Sequence, residues 1–174
     1  TGSSPTVSAT TFSSNSSVEG GGLYNTSASP SISNSFFYNN TATNGAGIYN
    51  KTSSPTLTGD SIYSNTATTD GGGIYNAFTS SPVSTNVSIY SNIATNGQGG
   101  GLYNSSSSPS LNSVKIHHNS ATDLTNGKGG GIYNTASSPS IVGGSIYLNS
   151  AHIGGGVFNI SSSPSISGAS TYST

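Results

Sequence analysis

The sequence predicts an all-β fold: a parallel β-helix, residues 1–174 as a single domain, of about seven coils of about 25 residues with three short strands each. Three observations carry this expectation. First, a Gly-Gly-Gly-Ile-Tyr-Asn anchor is written six times, at 20–25, 45–50, 71–76, 99–104, 129–134 and 154–159, with Ala46 replacing its middle glycine once and Val157-Phe158 varying the last copy. Second, seven prolines (Pro5, Pro30, Pro55, Pro82, Pro109, Pro139 and Pro164) keep a common register. An apolar residue stands two places after each except at Ser84, and another seven places after, except at Thr171. Third, no stretch is long enough, or periodic at 3.6 residues, to form a helix.

Each unit holds three extended segments separated by Gly, Asn or Pro. The first is Gly-Ile-Tyr-Asn, the second Pro-Ser-Ile-Ser, and the third Ile-Tyr-Ser-Asn running into Thr-Ala-Thr. Strands this short bury no face alone, so each is expected to pair in parallel with its equivalent in the next coil. Alternation assigns the faces. Ile74 points in and Tyr75 out, and Asn76 shares the inner side in a structural amide ladder of Asn25, Asn50, Asn76, Asn104, Asn134 and Asn159. Phe37 points in and Tyr38 out; Ala42 points in between outward Thr41 and Thr43. The prolines belong at corners or strand starts, where no ladder bond is lost. The asparagines ten places after Pro (Asn15, Asn40, Asn65, Asn92, Asn119 and Asn149) suit left-handed corner positions.

Composition narrows the function. Ile, Leu, Val and Phe make up about 18% of the chain, in the range of disordered segments, but the net charge is only −1. Apolar residues at fixed offsets fit a thin core instead. There is no Cys, hence no disulfide or thiolate chemistry. Three Lys and no Arg remove the cationic surface that nucleic-acid binding needs. No apolar run approaches the length of a membrane span. The chain begins at Thr1 without Met or a signal-like segment, as expected of a mature product or an excised piece.

Catalysis is not expected. The acidic residues are Glu19, Asp60, Asp70 and Asp123. Glu19 and Asp123 fall in one column four coils apart, and Asp60 and Asp70 on different walls, so no two share a substrate. His117 and His118 should face opposite sides of a strand, which suits no single metal. No Ser has a His and Asp placed for a triad. No cofactor and no metal are expected.

Three surfaces are candidates for function. The tyrosines fall in two outward columns, Tyr24, Tyr49, Tyr75, Tyr103 and Tyr133, and Tyr38, Tyr63, Tyr90, Tyr147 and Tyr172, which could contact glycans, a surface or sister molecules. A Thr-x-Thr face of Thr41, Thr43, Thr66, Thr68, Thr95 and Thr122 looks like an ice-binding array. Length varies mostly between the inward Ala and the glycines, so inserts such as 123–128 should protrude from one corner. With no evident cap at either end, the solenoid is expected to be cut from a longer one or to stack head to tail with itself into a filament.

Two motifs, Gly-Gly-Gly-Ile with its Gly-Ala-Gly-Ile variant and Phe37-Tyr38-Asn39-Asn40 as Phe-x-x-Asn, resemble the GGA(I/L/V) and FxxN repeats of polymorphic outer-membrane proteins and related autotransporter-type adhesins. The resemblance runs through the whole chain. It implies a right-handed, pectate-lyase-like β-helix serving as an extracellular or cell-surface passenger or adhesin. Four copies carry Ile for Phe, the third small residue is Gly, charge is nearly absent, and the 174 residues themselves contain no translocator barrel. The expected function is therefore a non-enzymatic structural or adhesive solenoid. An ice-binding solenoid and a carbohydrate-binding passenger fragment are the alternatives.

Overall fold

The computed structural model describes residues 4–172, and they form a parallel β-solenoid of about six turns and about 27 residues per turn. Spacing between paired strands runs from 25 residues (Thr6 to Ser31) to 30 (Ser110 to Ser140). A complete coil has four strands rather than the expected three, and five coils are complete among the described residues. One coil reads Ser31–Ser33, Phe36–Tyr38, Thr41–Ala42 and Ile48–Lys51. These lie in four sheets of seven, seven, five and six strands, and every pairing is parallel. Like stacks on like: Ile74 pairs with Ile48 and Leu102, Asn76 with Asn50 and Asn104.

The third predicted segment splits because the chain turns inside it. Asn39, Ser64, Ser91, His118 and Leu148 adopt φ between 52° and 56°, separating the aromatic strand from the Thr-Ala strand. One left-handed residue resets the two-residue alternation, so the residue after it points inward. The asparagines expected at left-handed corners are those inward residues instead: Asn40, Asn65, Asn92 and Asn119 are fully buried. The same device turns the chain after the proline strand, for example at Asn34 and Asn86. It recurs after the glycine strand, at Thr52 and Ser106. Ahead of the glycine strand the left-handed residue is always a glycine, Gly20, Gly45, Gly71, Gly99, Gly129 or Gly154.

The core takes one apolar residue from most strands, with Ser84 inward in Val83–Thr85. Ile32, Phe37, Ile48, Leu57, Ile62, Ile89 and Ile132 have no exposed surface. Each contributes roughly 1.5–3 kcal/mol by burial, which is why so few suffice. Phe12 stacks on Phe37 at 4.7 Å and continues the core into the first described coil.

Polar ladders fill the corners. In the expected asparagine ladder, Asn50 Nδ2 donates to Asn76 Oδ1 at 2.8 Å and Asn76 Nδ2 to Asn104 Oδ1 at 2.9 Å. In the second, Asn92 Oδ1 accepts from both the backbone N–H and Nδ2 of Asn65 (3.1 and 2.9 Å), while Asn92 Nδ2 donates to Asn119 Oδ1 and the Ile62 carbonyl. The recurrent Ser-Ser-Pro makes two more. Ser53 N–H donates to Ser80 Oγ in the following coil, and Ser81 N–H to Ser54 Oγ in the preceding one. Each proline directly precedes its strand and offers only its carbonyl, as Pro30 does to Thr56 N–H. Among the described residues no buried side-chain nitrogen or oxygen lacks a partner.

Candidate functional site

The two aromatic columns differ in access. Both stack ring on ring. Along the glycine strand, Tyr24, Tyr49, Tyr75, Tyr103, Tyr133 and Phe158 lie 4.6–5.4 Å apart. This column does not form the open stripe that alternation suggests, since Tyr49 is 4% and Tyr133 8% exposed. The residues ahead of the glycines run beside it: Ser17, Val18 and Glu19 border Tyr24, and Lys128 Nζ sits 5.3 Å over the Phe158 ring. Outward direction in a strand is not exposure when the next corner folds alongside.

Burial raises the phenols of this column. Tyr75 is pushed up to about 12 by desolvation and then by the Asp70 carboxylate. Tyr49 and Tyr103 go higher still, again chiefly through burial, with Tyr75 and Glu19 adding at Tyr49 and Asp70 at Tyr103. Alkaline titration of the folded protein should therefore find these three ionising well above the ordinary 10. The folded state keeps protons that the unfolded state releases, so their contribution to stability is complete below pH 10 and is lost as pH rises toward their folded values. Ultraviolet titration alongside urea unfolding at increasing pH checks this. A single ionisation of all tyrosines at 10 in the folded protein would contradict it.

The column on the aromatic strand is the open one. Tyr38, Tyr63, Tyr90, His117 and Tyr147 stack at 4.7–5.1 Å with interplanar angles of 3–16°, and all are half-buried. The side chain of Tyr172, expected next, lies outside those described. Because ring faces meet each other, the column presents edges and hydroxyls outward rather than flat platforms.

The threonine face is short. Strand pairing aligns Thr41, Thr66, Ile93, Ser120 and Ser150 in one row. Thr43, Thr68, Thr95, Thr122 and His152 follow the inward alanines. Only two successive coils carry Thr in both rows. Thr41, Thr68, Thr95 and Thr122 are exposed, Thr43 and Thr66 half-buried, and Thr122 Oγ1 donates to the Thr95 carbonyl.

The acids are dispersed, though not in the expected columns. Glu19 aligns with Asn44, and backbone bonds from each first glycine extend that column through Asp70, Gln98, Lys128 and Ile153. Asp123 lies elsewhere, because the insert lengthens its coil between the Ala and the glycines. Asp60 is buried at a corner, where it accepts from the backbone N–H of Ser35 and Thr58. Burial raises its carboxyl and these bonds counter that in part. Asp70 is also raised by burial, and Gln98 N–H donates to it.

The insert encloses a shallow hollow of about 320 Å³ lined by Ser120, Thr122, Asp123, Leu124, Ser150 and His152. It gathers an acid, an imidazole and hydroxyls that the sequence spacing keeps apart. Asp123 Oδ1 is taken up by Thr125 N–H, Thr125 Oγ1 and Asn126 N–H, a local turn that holds its carboxyl below the usual range. Among the described residues no hydrogen bond joins His152 to Asp123 or to either serine, and the two Ser Oγ atoms bond each other at 2.9 Å. That arrangement is not a triad.

A second difference from alternation is the histidine pair. His118 has φ +56°, so it leaves the strand on the outer side with His117, and their Nδ1 atoms are 2.8 Å apart.

Two stretches, residues 9–26 and 61–77, match the family model of the Chlamydia polymorphic membrane protein (Chlamydia_PMP) repeat. Those two stretches are similar to that repeat. Each match spans the aromatic strand, Asn15 or Asn65 after it, and the glycine strand; the second holds a ring of each column, Tyr63 and Tyr75, while the first holds Tyr24 with Ser13 in the open column's place. In Chlamydia the family is outer-membrane or surface-associated. No curated protein matches the chain.

Proposed function

We propose that this solenoid is a non-enzymatic, surface-exposed passenger-type module that adheres through its open ring column. The observation that carries the reading is the continuous stack of Tyr38, Tyr63, Tyr90, His117 and Tyr147 on one accessible wall. Stacking fixes each ring, so little side-chain freedom is lost on contact. The phenolic hydroxyls of Tyr38, Tyr63 and Tyr90 on successive coils, with Tyr147 beyond His117, favour a hydroxyl-rich partner such as a glycan, held by hydrogen bonds rather than by ring faces. The PMP repeat supports a surface setting, and the dispersal of the four carboxylates supports a role without catalysis. The ice-binding alternative has no comparable support, since its paired rows span two coils.

Glycan-coated surfaces probed with wild type and with Y38S/Y63S/Y90S test the reading. Loss of adhesion in the triple variant, with coil spectra retained, is the expected result. Equal adhesion by both would overturn it. Self-association extends the proposal: two copies that pair strand to strand would continue the parallel ladder that joins successive coils. Sedimentation velocity at rising concentration should show growing species; a constant monomer would remove this extension alone.

A further inference from the structure

We propose that His117 and His118 form a bidentate site for a divalent transition-metal ion on the open ring column. Their Nδ1 atoms stand 2.8 Å apart, with ring centroids at 5.1 Å and planes at 82°. The left-handed turn at His118 creates this arrangement by bringing two consecutive side chains to one side of the wall.

Both rings are held before any ion arrives. His117 lies between Tyr90 at 5.1 Å and Tyr147 at 4.7 Å, nearly parallel to each. His118 meets Tyr147 edge-on at 6.1 Å. Without an ion, one Nδ1 donates a proton to the other. An ion of the class imidazole prefers, Cu²⁺, Ni²⁺ or Zn²⁺, takes the place of that proton. The donor ring's hydrogen moves by way of water to its own Nε2, so both rings stay neutral and both Nδ1 lone pairs face the metal.

Lys115 is the opposing charge. It leaves from the same outward wall two residues earlier, but it is exposed and its long stem lets the ammonium swing into water. Two protein nitrogens leave the remaining coordination positions to water or to an outside carboxylate or imidazole.

Cu²⁺ titration of tyrosine fluorescence tests the site, since the chain has no Trp. Saturable quenching by one equivalent should remove about a fifth of the emission, two flanking rings among ten tyrosines. H117Y installs the residue of the neighbouring coils, and H118S the residue found at Ser64 and Ser91, so both should fold. Each should raise the Cu²⁺ needed for half-quenching by about tenfold or more, because a chelate becomes a single bond. H152A should leave the titration unchanged, and only a large excess of Zn²⁺ should compete, since imidazole nitrogens bind Cu²⁺ more tightly. The proposal is overturned by the absence of saturable quenching, by unchanged midpoints in H117Y and H118S, or by loss of quenching in H152A.

Discussion

Asn92→Ala should cost about 4 kcal/mol of folding stability, far above the effect of an ordinary surface change. Asn92 has no exposed surface and makes four side-chain hydrogen bonds between three coils. Its removal orphans the Asn65 backbone N–H and one proton of Asn65 Nδ2, each worth roughly 1–3 kcal/mol when left buried, and takes a second donor from the Ile62 carbonyl. Asn119 Oδ1 is spared, because the backbone N–H of residue 92 still reaches it at 3.0 Å. Asn92→Asp should be worse, since it removes the donor and sets a buried charge against Asn119 Oδ1. Asn96→Ala, on an exposed residue of the same coil, should change stability by less than about 0.5 kcal/mol. Urea unfolding of the three variants checks the order. A shift of Asn92→Ala no larger than that of Asn96→Ala would show that the inward ladder is not formed.

Gly101→Ala should be nearly as damaging, at about 3 kcal/mol or more, for a steric reason. A Cβ at Gly101 would stand 2.6 Å from the Gly131 carbonyl of the next coil and 3.0 Å from the Asn119 amide. Backbone cannot swing aside as a side chain can, so the coils must separate or the asparagine ladder must shift. The middle glycine is the only one of the three replaced, by Ala46, whose methyl joins Ala42 and Ala67 in a small cluster. Beside it, Gly47 N–H reaches Gly72 O at 3.3 Å, against 2.9–3.1 Å for its counterparts Gly22, Gly73, Gly101 and Gly131. Gly143→Ala separates crowding from backbone strain. Its φ is +65°, but an added Cβ would meet nothing nearer than 3.5 Å, so only about 1 kcal/mol should be lost. Thermal unfolding of the two variants gives the comparison. Equal losses would mean that glycine is kept at 101 for its conformation and not for coil spacing.

The solenoid and its register were legible because each column repeats its residue type. Ile at one fixed offset and Asn at another have few explanations other than like stacking on like. The anchor asparagines, the buried Ile and Phe, and the prolines ahead of their strands all follow from that and from alternation. The corners were not legible. Left-handed φ falls on Ala9, Thr52, Phe78, His118 and Leu148, residues with no common preference for it. The turns are imposed by ladders between coils, which no single coil encodes. Each such turn shifts the alternation by one, so Asn40 moves from the outer side to the inner and His118 from the inner side to the outer. The same limit applies to the aromatic columns. Alternation places Tyr49 and Tyr63 outward alike, whereas the cover over Tyr49 comes from the neighbouring corner. The histidine pair and the hollow beside Asp123 thus emerge only in three dimensions.

Distances along one wall test the stacked architecture most directly. Thr6, Ser31, Ser140 and Ser165 are exposed and belong to one outward row of the proline sheet. Spin labels at Ser31 and Ser140 are four coils apart, and labels at Thr6 and Ser165 six. At the spacing of paired strands, pulsed electron resonance should give backbone separations of roughly 19 and 29 Å, each with a narrow distribution. Equal separations for the two pairs, or broad distributions that do not grow with coil number, would contradict the solenoid and every surface assigned on it.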